Sequence, residues 1–201
     1  MKYIKLAASF NFGEVTSVVI ASVLLPFLPE TPIQLLVEGL LYDFRQLTLP
    51  LDNVDEEYLN KPKRFDIKSL KNFMLFMGPL SSCFDLIVFA LVWFTFDIHE
   101  AAIFQTIWFS YGVVSNLVGM HVIRTSKIPF KESHASKAVY ASSILLSIIA
   151  MIVPYTFLGR AIGLTSLEPK YFTVIIGVPI LYCFVAIFAK KVYIKKYGEW
   201  I

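Results

Sequence analysis

Residues Tyr171–Ala189 read YFTVIIGVPILYCFVAIFA, a run of nineteen positions without a charged side chain. A helix on the surface of a soluble protein keeps its apolar residues to one stripe, whereas this run is apolar all round. It also approaches the ~20 residues that a helix needs to cross a bilayer. Within hydrocarbon the backbone must satisfy its own hydrogen bonds, which a lone segment can do only as a helix. Lys190, Lys191, Lys195 and Lys196 follow directly.

Working outward from this run, five more segments of the same kind appear: about 6–27, 32–49, 72–96, 101–123 and 139–157. With 171–189 they predict an all-α integral membrane protein of six transmembrane helices, residues 1–201 forming a single membrane domain. The segments are too long for strands and lack the alternation of a membrane barrel. Composition agrees: hydrophobic residues make up 57% of the chain and charged residues 16%, against roughly a quarter charged in soluble domains. Mean hydropathy is +0.66.

The pI near 8.8 does not point to nucleic acid, because the basic residues lie between apolar runs rather than in one patch. They orient the chain in a lipid bilayer instead. Fifteen of the eighteen Lys/Arg residues fall in the terminal segments and in the second and fourth connections, leaving Arg45, Arg160 and Lys170 elsewhere. By the positive-inside rule both termini are cytoplasmic, as expected of a multi-pass protein of the plasma (cytoplasmic) membrane. Cys83 and Cys183 lie inside separate apolar runs with no C-x-x-C spacing, so they read as inert packing thiols.

The second and least apolar segment contains Glu38, Asp43 and Arg45, and the first contains Asn11 and Glu14. A charge at the bilayer centre costs at least about 2.5–3.5 kcal/mol, so each needs a reason to be there. Asn11 and Glu14 share a helix face at i and i+3, with Gly13 between them to admit a neighbouring backbone. Gly39, Tyr42 and Asp43 share a face of the next helix. Two antiparallel helices joined by the tight turn P-F-L-P-E-T-P (26–32) are expected to be neighbours, bringing these faces together. Carboxylate, amide and carbonyl oxygens suit a hard cation. Helix-packing hydrogen bonds are the other reading of Glu14 and Asp43. Glu38 lies roughly 140° around the helix from Asp43, and Arg45 shares the azimuth of Glu38, which suggests a compensating Glu38–Arg45 pair.

The motifs S-F-N-F-G-E (9–14) and Q-L-L-V-E-G-L-L-Y-D (34–43) resemble the fifth and sixth membrane helices of P-type ATPases. The stretches L-D-N-V-D-E-E-Y-L-N-K-P-K-R (51–64), F-M-L-F-M-G-P-L-S-S-C-F-D (73–85), H-V-I-R-T-S-K-I-P-F (121–130) and Y-I-K-K-Y-G-E-W-I (193–201) narrow this to the magnesium-transporting branch. The chain is thus similar to the C-terminal membrane half of such a pump, helices five to ten. The resemblance implies Mg2+ as the transported ion and a cation path through Asn11, Glu14 and Asp43, with Gly39, Tyr42 and Glu38 as further contributors. Many family members carry asparagine at the position of Gly39 and a small polar residue at that of Arg45. Tyr111 stands where a glutamate is expected.

No D-K-T-G phosphorylation motif, nucleotide-binding site or actuator segment occurs in these 201 residues. The expectation is therefore a membrane fragment of a translocase, with no ATP site and no ATPase activity of its own. Its implied partner is the catalytic half of a P-type ATPase. Two other readings stand beside it: a non-enzymatic partner or regulator of a full-length pump, and a non-functional truncated gene product. An independent channel or carrier is less favoured, because the polar membrane residues cluster on two helices. Asp85, after G-P-L-S-S, reads as the stabiliser of an irregular turn, and the Asp52–Glu57 stretch as a solvated loop. His121, Trp93, Trp108 and Trp200 read as packing or interface residues.

Overall fold

The computed structural model describes residues 2–53, 66–198 and 200. Their regular structure is helical: α1 (Lys2–Leu24), α2 (Pro32–Gln46), α3 (Ile67–Ala90), α4 (Ala101–Ile123), α5 (Lys137–Ile152), the short α6 (Phe157–Ala161) and α7 (Phe172–Tyr197). The basic Lys61, Lys63 and Arg64 and the acidic Asp55, Glu56 and Glu57 of the second connection lie outside the described residues.

Local chemistry sets the helix ends. Thr31 and Gln34 form a reciprocal capping box at the start of α2, with Pro32 in the first turn, where a missing N–H costs nothing. The Asp66 carboxylate accepts the backbone N–H groups of Lys68 and Ser69 at the start of α3. At the other end of α7, Gly198 adopts φ 78°, a left-handed conformation, and donates its N–H to the Ile194 carbonyl. Against an expected start near 72 and an end near 189, α3 begins at Ile67 and α7 continues through the basic residues to Tyr197. The helical hydrogen-bond ladder is indifferent to where hydrocarbon gives way to water.

Among the described residues five helices are long and apolar enough to cross a membrane; α2, with fifteen residues, is shorter. Lys5 Nζ lies 3.4 Å from the Trp200 carbonyl oxygen, so both ends of the chain meet at one end of the bundle. The chain is an all-helical, multi-span membrane domain.

α4 is the central helix and the most buried, packing against α7, α5 and α2. α1 runs along α3 rather than along α2. The α1–α3 crossing is close because small residues meet there: Ser82 Oγ donates to the Gly13 carbonyl at 2.8 Å, and a Cβ on Gly13 would collide with Ser81 Oγ. The expected role of Gly13 is therefore filled, but by α3. The sequence expectation that α1 and α2 pack as neighbours is corrected: beyond the turn they splay, touching through an edge-on contact of Phe10 and Tyr42 at 6.0 Å.

The end of the bundle that holds the termini is tied by buried polar contacts. Arg124 pairs with Asp52 at 2.9 Å, the side chains 1% and 5% exposed. Asp52 also accepts the Ser136 N–H, so it is an interior anchor of the connection rather than the solvated residue expected. Lys190 Nζ donates to the Thr125 and Lys127 carbonyls beyond α4, a favoured place for a cation. Trp200 inserts between Phe73 and Tyr193 and donates its indole N–H to the Ile123 carbonyl. His121 is a packing residue, bonded to Ser143 Oγ and stacked on Tyr140.

Candidate functional site

A small cavity of about 20 Å³ lies midway along the bundle, between α1, α2, α3 and α4. Glu14 and Ser17 enter it from α1, Glu38 from α2, Asp85 from α3, and Tyr111 and Asn116 from α4. α1 contributes Glu14 and Ser17 together because residues three apart share a face. Their hydrogen bonds divide the lining into held and less constrained groups. Asp85 accepts from Ser17 Oγ at 2.7 Å and from the Tyr111 hydroxyl at 3.2 Å. Glu38 accepts the Asn116 amide at 3.2 Å. Gly112 is required by this arrangement, since a Cβ there would run into both Glu38 carboxyl oxygens.

The fourth acidic residue is Glu30, in the turn between α1 and α2. It is 2% exposed, and neither of its carboxyl oxygens has a hydrogen-bond partner. Its carboxyl abuts that of Glu38. Burial pushes the Glu30 carboxyl up to about 8; the contact with Glu38 opposes this, while the charges of Glu14 and Asp85 add to it.

The residues expected from the sequence divide into two sets. Glu14 and Glu38 meet at the cavity. Asn11, Gly39 and Asp43 are exposed on the outer surface of α1 and α2, and nothing lies within 4 Å of a Cβ built on Gly39. Tyr42 is half-buried between Phe10 and the Arg45 guanidinium, which sits 4.5 Å from its ring centroid. The expected Glu38–Arg45 pair does not form: Glu38 turns to Asn116, and Arg45 is 1% exposed with Nε and Nη2 unpartnered. A shared azimuth two turns apart left the side chains free to take different neighbours. Asp85 is a cavity residue, not merely the turn stabiliser expected. The signal available in the sequence was an acid within an apolar run, but nothing there showed which helix it would face.

The architecture is that of a helical, multi-span membrane domain with acidic side chains held between its helices. Residues 27–192 match the family described as cation transporting ATPase, C-terminus, and the chain belongs to that family. It is 42% identical over its full length to a magnesium-transporting ATPase, P-type 1, of Salmonella typhimurium strain LT2. It is 38% identical over 98% of its length to the protein of the same name from Escherichia coli K12. In both cases the chain spans 22% of the relative's length.

Proposed function

We propose that the chain supplies the C-terminal membrane helices of an ATP-driven magnesium transporter and forms part of its Mg2+ path. The observation that carries this is the polar outer face made by Asn11 on α1 and Gly39 and Asp43 on α2. All three residues are exposed within the membrane-spanning helices, where an uncovered carboxylate is costly. α1 and α2 splay there, leaving room beside them. A further helix from the catalytic part of the pump would cover this face, bringing its own oxygen ligands to Asn11 and Asp43. Such oxygens suit Mg2+, which is bound through one or two carboxylates and retained water. Phosphorylation in the catalytic part would then shift the covering helix between two arrangements and open the path to alternate sides. The expected setting is the cytoplasmic membrane, with both termini inside.

The test is to co-express the chain with a relative's pump truncated to lack the corresponding C-terminal portion, and to measure Mg2+ uptake. Restored uptake, abolished by Asp43→Asn with the chain still in the membrane, supports the reading. A correctly inserted pair in which Asp43→Asn transports like the parent refutes it.

A further inference from the structure

Trp200 belongs to no helix, yet it is 2% exposed and touches four of them. Its indole N–H donates at 2.9 Å to the carbonyl of Ile123, the last residue of α4. The last carbonyls of a helix have no partner within it, so this donor fills a vacancy that α4 cannot fill itself. The ring packs edge-on against Phe73 of α3 at 4.9 Å and Tyr193 of α7 at 5.5 Å between centroids. Lys190 Nζ of α7 lies 5.4 Å from the ring centroid. The Trp200 carbonyl in turn lies 3.4 Å from Lys5 Nζ of α1, and the same ammonium donates to Ser69 of α3 at 2.8 Å. Lys5 is itself 1% exposed, an unusual place for the second turn of a helix to keep a lysine.

The turn that brings Trp200 back is made by Gly198, whose left-handed φ of 78° disfavours any side chain. Because Trp200 lies beyond the cap of α7, its contacts can be undone without breaking a helical hydrogen bond. We propose that Trp200 is a latch on the inner end of α1: seated, it ties that end to α3, α4 and α7 at once, and withdrawn, it frees α1 to shift along α3. Small slides of packed helices are an ordinary means of conformational change, and a tie at the helix end opposes them. Glu14 lies nine residues beyond Lys5, about 13 Å along the same rigid helix, so the latch also fixes where Glu14 stands in the cavity. The inference goes beyond the proposed transport function and does not need it.

The experiment follows amide hydrogen exchange in the full chain in phosphatidylcholine nanodiscs, comparing residues 4–10 of α1 with 139–146 of α5, which starts at the same end of the bundle. Trp200→Ala should speed exchange in the α1 segment about a hundredfold and leave the α5 segment within about threefold. Trp200→Phe keeps a ring against Phe73 and Tyr193 but loses the bond to Ile123, and should speed the α1 segment about threefold to tenfold. If Trp200→Ala does not fold, Trp200→Phe decides by the same comparison. Exchange in α1 that is unchanged in the folded variants overturns the proposal. Equal acceleration in α1 and α5 also overturns it, since Trp200 would then stabilise the bundle as a whole. Neither result bears on Mg2+ uptake by the co-expressed pair, so the proposed function stands or falls separately.

Discussion

The Tyr111 hydroxyl on α4 donates to Asp85 Oδ1 on α3 at 3.2 Å, across the wall of the central cavity. Ser17 of α1 approaches the other oxygen of the same carboxylate, so three helices are joined at one acidic group. Where the family resemblance implies a glutamate, this chain has a neutral donor that holds an acid instead of adding one.

Removing that donor should be measurable. Tyr111→Phe is expected to destabilise the chain by about 0.6–1.7 kcal/mol, the range found for side-chain hydrogen bonds within membranes. Reversible unfolding in mixed micelles would check it. A change below the measurement error would mean that Asp85 is held by Ser17 alone.

Gly112 and Gly177 form a matched pair of tests. A Cβ at Gly112 meets the Glu38 carboxylate, whereas one at Gly177 of α7 meets nothing within 4 Å. Gly112→Ala should cost about 1–3 kcal/mol by overpacking. Gly177→Ala should instead stabilise by about 0.4–1 kcal/mol, because alanine loses less backbone freedom on folding. Thermal unfolding of the two variants side by side reads the difference directly.

The buried Arg124–Asp52 pair predicts a non-additive pattern. Arg124→Met alone should cost about 3–5 kcal/mol, since it leaves a buried carboxylate without its charge partner. Arg124→Met with Asp52→Leu should recover much of that loss. A loss in the double variant equal to the sum of the two single losses would show that the two side chains do not act as a pair.

Topology is open to labelling. With single cysteines introduced into a background lacking Cys83 and Cys183, Asp97→Cys should react with an impermeant thiol reagent from outside. Lys131→Cys should react only after the membrane is opened. Both positions are exposed, so the order of reaction reports sidedness. The reverse order would overturn the orientation.

Much of the fold was legible in the sequence because hydrocarbon makes a simple demand: about 20 apolar residues for each crossing, with basic residues held on one side. The Tyr171–Ala189 run announces a spanning helix without reference to anything else in the chain. The Thr31–Gln34 capping box at the start of α2 and Gly198 beyond α7 set those ends in the structure, the second well past the end expected near 189. Periodicity grouped Asn11 with Glu14, and Gly39 with Tyr42 and Asp43, but in the structure Glu14 lines the cavity while Asn11, Gly39 and Asp43 are exposed.

What periodicity could not say was which neighbour each face would meet. That was decided by close packing at Gly13, Ser81 and Ser82, which joins α1 to α3 and leaves α1 and α2 splayed. The same packing turns Glu14 toward Glu38 and Asp85 and leaves Asn11 and Asp43 on the surface. It also brings Glu30 from a proline-rich turn against the Glu38 carboxyl. A sequence determines its crossings because each helix answers to the bilayer alone; its interior site depends on contacts between helices, which only the assembled bundle defines.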